Sequence, residues 1–432
     1  MDWRRKWMML AACAWFACLV GTGAHGEETA SAARGDWPRF HGPRGDNLCR
    51  ETGLLSAWPE GGPKLLWTAR GIGEGYGSIA IAKGRIYVSG SLRDQTVITA
   101  LDLEGKICWQ APGGDAWTGA YPGTRGTPTV DGDRVYHESP LGQVVCLEAQ
   151  TGRQWWTLNL LEEFDAKNLT WGLAESLLVD GQRLICCPGG EHTSMVALDK
   201  TNGQVIWAAD PAGSRASYAT PILVAHQGLR IVLTMTENAL IGVNAESGQL
   251  LFRHPHETRY GANVTSPLFC EGRIFITSGY RSGSEMLRLA VEGTKASVER
   301  VWESADLDNL HGGVILLEGR IYGAAHQAAG RRQTPWICLD WKTGKTKHVA
   351  RGVGAGTLTG AEGMLYTLGE EGEVSLVRPG PDGYHTVSTF RLARHDSGPV
   401  WAHPVVCGGR LYIRRDAVLY AYAIEGRELR AR

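Results

Sequence analysis

One motif recurs along almost the whole chain and restricts its fold more than any other feature. Lys83-Gly84-Arg85-Ile86-Tyr87-Val88 returns as Gly132-Asp133-Arg134-Val135-Tyr136, Gly181-Gln182-Arg183-Leu184-Ile185 and Gly272-Arg273-Ile274-Phe275. It returns again as Gly319-Arg320-Ile321-Tyr322 and Gly409-Arg410-Leu411-Tyr412. Gly228-Leu229-Arg230-Ile231-Val232 is a degenerate copy, and Gly363-Met364-Leu365-Tyr366 lacks the arginine. In chain order the glycines of this motif lie 48, 49, 47, 44, 47, 44 and 46 residues apart, which makes eight units. Self-similarity at a period of this length marks a repeat architecture.

A second signal follows in most units. Gly105 precedes Trp109, Gly152 precedes Trp156, Gly203 precedes Trp207 and Gly248 precedes Phe252, always by four residues. Gly344 precedes His348, where the aromatic is lost. The physics of a unit follows. An apolar run before the first Gly is a strand, and the Gly permits a tight turn. The β-branched and aromatic run after it is a second strand. A stretch such as Ala100-Leu101-Asp102 is a third, and the run ending in Trp is a fourth. Four antiparallel strands per unit make a propeller blade. The spacing predicts an all-β, eight-bladed β-propeller of four-stranded antiparallel blades. The last unit runs out after three strands, whereas Pro63-Lys64-Leu65-Leu66-Trp67 is a fourth strand without a unit. The two fragments are expected to share one blade and close the ring, which removes the exposed sheet edges.

This divides the chain into a signal peptide (1–26), an irregular lead-in (27–61) and the propeller (62–432). Arg4-Arg5-Lys6 precedes an apolar run, Trp7 to Val20, that is short for a membrane span. A lipoprotein box at Leu10-Ala11-Ala12-Cys13 and a twin-arginine reading of Arg4-Arg5 remain alternatives. Export to the periplasm or beyond is the expectation, with a mature protein that does not span the membrane. With 44 Lys and Arg against 45 Asp and Glu, no basic excess points to nucleic acid. No Cys-x-x-Cys pair suggests zinc. Cys186-Cys187 reads as two strand thiols facing opposite sides, with a vicinal disulfide as the minor alternative. Residues 159–168 are expected to hold one short inserted helix.

The unit, with Ala-Leu-Asp, Thr-Gly and Trp in series, resembles the pyrroloquinoline quinone (PQQ) repeat family of propellers over essentially the whole mature chain. The lead-in Asp36-Trp37-Pro38-Arg39-Phe40-His41-Gly42-Pro43, with Glu51-Thr52-Gly53-Leu54, looks like secreted, uncharacterised members common in planctomycete-type bacteria. The resemblance implies one of two classes. Quinoprotein dehydrogenases oxidise alcohols with PQQ and calcium; other members are non-catalytic scaffolds, such as the propeller lipoprotein of the outer-membrane barrel-assembly machinery. Fold alone does not choose between them.

Site residues are sought in the loops that enter each first strand. Unit by unit these offer Tyr76; Arg125; Trp171 and Glu175; Tyr218; Asn263; His311; a Gly354-Ala355-Gly356 gap; and Trp401 with His403. They suit either polar plugs of the channel mouth or a ligand pocket of apolar faces with a few fixed polar groups. For a quinoprotein, Glu175 and Asn263 are the calcium candidates. Arg125 could meet a carboxylate or quinone oxygen, and Trp171 or Trp401 could stack on a flat cofactor. Asp308, before Asp306, is the candidate base for alcohol oxidation; an exposed turn is the plainer reading of that pair. The chain departs from the dehydrogenases in lacking their long inserts, their catalytic aspartate motif and a Cys-x-x-Cys-His haem site. Its Cys pair also falls within a strand, whereas theirs caps the quinone from a loop. The leading expectation is therefore a monomeric binding or scaffold protein of the cell envelope, with an envelope protein or small molecule as partner. The alternative is a PQQ- and calcium-dependent alcohol dehydrogenase.

Overall fold

A computed structural model describes residues 35–210, 212–326, 334–350, 354–380, 383–393 and 398–426. The expected signal peptide lies outside these residues. Eight sheets form eight antiparallel four-stranded blades, as the repeat predicts. Blades 1 to 7 span residues 80–115, 129–159, 178–208, 222–255, 268–304, 314–350 and 356–391. Blade 8 takes three strands from residues 405–423 and its outer strand, Leu65–Ala69, from the other end of the chain. Leu65 pairs with Tyr422 and Ala69 with Leu419 in an antiparallel ladder that closes the ring. The inserted helix is Leu160–Glu163, whose first N–H groups are capped by the Asn159 side chain.

The first hairpin of a blade turns on the repeated glycine. Lys83 and Gly84 both have positive φ, 51° and 74°, as a two-residue type I′ turn requires. The inner strands of a blade are buried on both faces, so they read as nearly continuous apolar runs. Ile86 and Val88 pack into the seam between blades 8 and 1, whereas Tyr87, pointing the other way, packs into the seam between blades 1 and 2. Each of the eight seams holds one apolar cluster of this kind. Cys186 and Cys187 are free thiols that serve two different seams, as the strand reading expects.

The tryptophan series fastens the seams. The indole N–H groups of Trp67, Trp109, Trp156, Trp207 and Trp302 donate to Leu103, Ala149, Lys200, Ala245 and Trp341 carbonyls of the following blade, at 2.8–3.2 Å. Each ring lies on the turn glycine of that blade, so a Cβ at Gly105, Gly152, Gly203, Gly248 or Gly344 would meet indole carbons within 2.9 Å. Phe390 plays this part against Gly62. One feature has no signature in the sequence. In all eight blades the outer ladder slips by one residue just before this position. The bulge bends the outer edge strand and spoils it as a template for further pairing.

The lead-in is irregular, but it is more than a cover. Trp37 exchanges backbone bonds with Ile81 of blade 1, and the Val130 N–H of blade 2 donates to Pro38. Cys407 of blade 8 donates to the Gly35 carbonyl, and the short strand Leu48–Cys49 pairs in parallel with Gly360 and Ala361 of blade 7. First strands neighbour one another around the ring, so residues 35–49 occupy the channel that those strands line.

Candidate functional site

Above the lead-in, the loops that enter the first strands enclose a cavity of about 500 Å³. Its construction is set by register. The backbone N–H groups of Ser78, Thr127 and Ser176 donate to the hydroxyls of Thr127, Ser176 and Thr220, each on the next blade, at 2.9–3.0 Å. These bonds and the first-hairpin pairings align Ser78, Thr127, Ser176, Thr220, Ser266, Gly313, Thr357 and His403 as one ring of equivalent positions. The residue two before each of them lines the cavity in every blade: Tyr76, Arg125, Ala174, Tyr218, Val264, His311, Ala355 and Trp401.

The cavity takes most of the sequence candidates and leaves out three. Tyr76, Arg125, Trp171, Tyr218, His311, Trp401 and His403 all line the cavity. Glu175 stands one residue before the ring position, Asn263 three before and Asp308 five before. None of these three lines the cavity; each is held in internal hydrogen bonds instead. The Glu175 carboxylate accepts the Cys187 N–H at 2.7 Å. The Asn263 amide donates to the Thr236 and His256 carbonyls and accepts from the Ser278 hydroxyl. Asp308 is buried rather than on an exposed turn, and it accepts the N–H groups of Arg281 and His326 at 3.0 and 2.8 Å. Asp306 is exposed and accepts from Thr346.

Two aromatic groups form the walls. Trp401 stacks on His311, with centroids 4.3 Å apart and planes 16° apart, and lies 4.9 Å from both Tyr76 and Tyr121. Its indole N–H donates to Glu370 at 2.9 Å. The opposite group holds Trp171 beside Tyr218 and Tyr260, and Tyr260 beside Tyr280. The Arg125 guanidinium donates to the carbonyls of Gly123, Ala120 and Tyr121 and so braces the loop between blades 1 and 2. Burial pushes it down to about 10. Beneath Tyr76, fully buried Arg414 donates to the carbonyls of Gly73, Gly77 and Asp416; nothing in its repeat position announces that role. The lead-in supplies the floor. Phe40 stacks on His41 at 3.8 Å, and His41 Nε2 sits 3.3 Å from His403 Nδ1. Burial holds both imidazoles below their ordinary range, His403 at about 4, so they are neutral near pH 7.

PQQ is a fused-ring tricarboxylate and calcium wants several convergent oxygens. The described residues do not suit that pair. Arg125 is already spent on loop carbonyls, Glu175 and Asn263 belong to separate internal networks, and no group of three or more His, Cys, Asp or Glu among the described residues is placed to hold a metal. Glu175 instead faces Glu138 across the seam of blades 2 and 3. Burial raises both carboxyls, and their mutual repulsion raises Glu138 further.

A family model described as outer membrane protein assembly factor BamB matches residues 93–350. No curated protein matches the chain. BamB from Moraxella catarrhalis is 15% identical with a TM-score of 0.59, over 84% of this chain and 100% of that one. A quinohemoprotein alcohol dehydrogenase from Comamonas testosteroni is 13% identical with a TM-score of 0.64, over 93% and 82%. A second such enzyme, from Pseudomonas putida HK5, is 11% identical with a TM-score of 0.59, over 91% and 81%. At these identities the solved structures share the fold alone.

Proposed function

The chain belongs to the PQQ-like propeller family described as outer membrane protein assembly factor BamB, and from that membership we propose that it is a non-catalytic binding protein of the cell envelope. Its site is the cavity at the channel mouth. One observation carries this reading: a single register position brings one side chain from each of eight blades onto one cavity, while the residues best suited to catalysis are held in separate internal hydrogen bonds. The lining is mostly aromatic and small, with few charges, which is the make-up of a small-molecule site. The family's description as an outer membrane assembly factor supports an envelope protein as an additional partner. The proposed setting is export by the amino-terminal segment, as a monomer. Among the described residues no helix is long and apolar enough to cross a membrane.

The dehydrogenase reading draws on fold likeness only, and the engagement of Arg125, Glu175 and Asn263 in other hydrogen bonds away from a shared ligand site argues against it. A thermal-shift screen of small molecules tests the proposal, repeated in Trp401→Ala. Ligands that stabilise the native chain but not this variant are the expected result. Dye-linked alcohol oxidation after reconstitution with PQQ and calcium should give no turnover. Turnover abolished by Asp308→Asn would overturn the non-catalytic reading.

A further inference from the structure

We infer that the cavity takes a neutral carbohydrate, a short oligosaccharide whose sugar rings lie on the aromatic walls while its hydroxyls meet the ring of Ser and Thr below. This rests on the binding reading above and names the class of ligand. Three independent features lead to it.

The first is the walls. Trp401 belongs to blade 8 and Tyr218 enters blade 4, so they stand on opposite sides of an eight-membered ring. Trp401 stacks on His311, but Tyr76 and Tyr121 meet it at 42° and 57°, and Trp171 and Tyr218 are tilted by 50°. The tilted rings are not used up in mutual stacking. Tyr121 lines the cavity and Tyr260 lies beyond the lining, against Trp171 and Tyr280; they remain 40% and 56% exposed. Large rings held in water at the lip of a pocket are contact surface waiting for a partner. A pyranose ring offers an apolar C–H face for such a platform and a polar edge.

The second is the hydroxyl ring. Ser176 and Thr220 each accept one backbone N–H, which leaves the hydroxyl proton to donate. Ser266 lines the cavity, is 7% exposed, and its Oγ has no hydrogen-bond partner among the described residues. A buried polar atom left unpaired is costly, and a ligand hydroxyl completes it.

The third is charge. Arg125 and Glu370 are the Lys, Arg, Asp or Glu side chains of the described lining, one of each sign, and both already have partners. A multiply charged ligand would enter without counter-ions. A flat, apolar heteroaromatic would satisfy the walls but leave the hydroxyls unmet. A neutral polyol with apolar faces satisfies both.

The test uses the full chain and neutral oligosaccharides of two to four sugars, in gluco-, manno-, xylo- and N-acetylglucosamine series. Calorimetry and tryptophan fluorescence are the readouts. At least one series should bind saturably. Tyr260→Ala and Trp401→Ala should each weaken it by about tenfold or more, and Trp401→Phe, which keeps a ring face, by less than about threefold. Tyr260 is exposed, so its variant folds even if Trp401→Ala does not. Uronic-acid oligomers binding more tightly than neutral ones would overturn the inference. So would Trp401-dependent binding confined to heteroaromatic compounds, a result that leaves the binding reading intact. Absence of any ligand sensitive to Trp401 or Tyr260 would overturn both.

Discussion

Trp67, on the strand that closes the ring, lays its indole on Gly105 of blade 1. A Cβ at Gly105 would fall 2.7 Å from two of the ring carbons, and the indole N–H donates to Leu103 at 2.8 Å. The same relationship, repeated around the ring, couples the composition of one blade to the turn of the next.

Comparison of two glycines isolates this contact. Gly84 and Gly105 both have positive φ, 74° and 82°, but a Cβ at Gly84 meets nothing. Gly84→Ala should cost about 1 kcal/mol, the left-handed backbone penalty alone. Gly105→Ala adds a clash with a packed ring and should cost roughly 2–4 kcal/mol. Chemical denaturation of the two variants measures the difference; equal losses would dismiss the seam argument.

The Glu138–Glu175 pair predicts a stability that declines with alkalinity. Both folded pKa values are raised, so the pair's contribution is fully present below the unfolded carboxylate value of about 4.3. It is lost as pH rises through the folded value, about 7 for Glu175. Glu138→Gln removes the like charge and can donate to Glu175. Its melting temperature should exceed that of the native chain at pH 8 and match it near pH 4.5. An unchanged pH profile would refute the coupling.

Glu285 behaves oppositely. Burial alone would raise it, but hydrogen bonds from His254 and His256 at 2.9 and 2.8 Å outweigh burial and hold it at about 2. Its contribution is present above the unfolded value near about 4.3 and is lost as pH falls toward about 2. Glu285→Gln should be destabilised at pH 7, with the deficit shrinking steadily below pH ~4. Melting curves across that range would show it, and a constant deficit would point to packing instead.

The channel floor depends on Asn47. Its side chain donates to Leu358 at 2.6 Å, its carbonyl accepts from Gly360 and Thr359, and its φ is 57°. Asn47→Ala loses the side-chain bond and strains the backbone, at a cost of about 1–3 kcal/mol. Hydrogen exchange should quicken in residues 35–49 and at Gly360, with little change in blades 3 to 5. Uniform change throughout would make Asn47 an ordinary stability residue.

The ring, its closure and the seam tryptophans were legible because each is a local pattern repeated at one period: glycine, strand, glycine, aromatic. The cavity was half legible. Tyr76, Arg125, Tyr218, His311 and Trp401 stand out chemically and sit at the lining register. Glu175 and Asn263 stand out as much but turn into internal hydrogen bonds. Ala174 and Val264, which do line the site, carry no chemical flag, and the distance back from the turn glycine varies from unit to unit, so the spacing alone does not mark them. Phe40 and His41 were out of reach. Their place is fixed by pairings such as Leu48 with Gly360, about 300 residues away, and no periodicity records a contact that occurs once.

Closure also has a schedule. Leu65 is made long before its partner Tyr422, which follows about 350 residues later in the chain. At synthesis rates of about 5–20 residues per second, the outer strand of blade 8 waits on the order of tens of seconds for its sheet. Until then Leu65–Ala69 is an unpartnered apolar strand and blade 1 has a bare flank. Whatever accompanies the nascent chain must shield that one strand until the strands of residues 405–423 arrive.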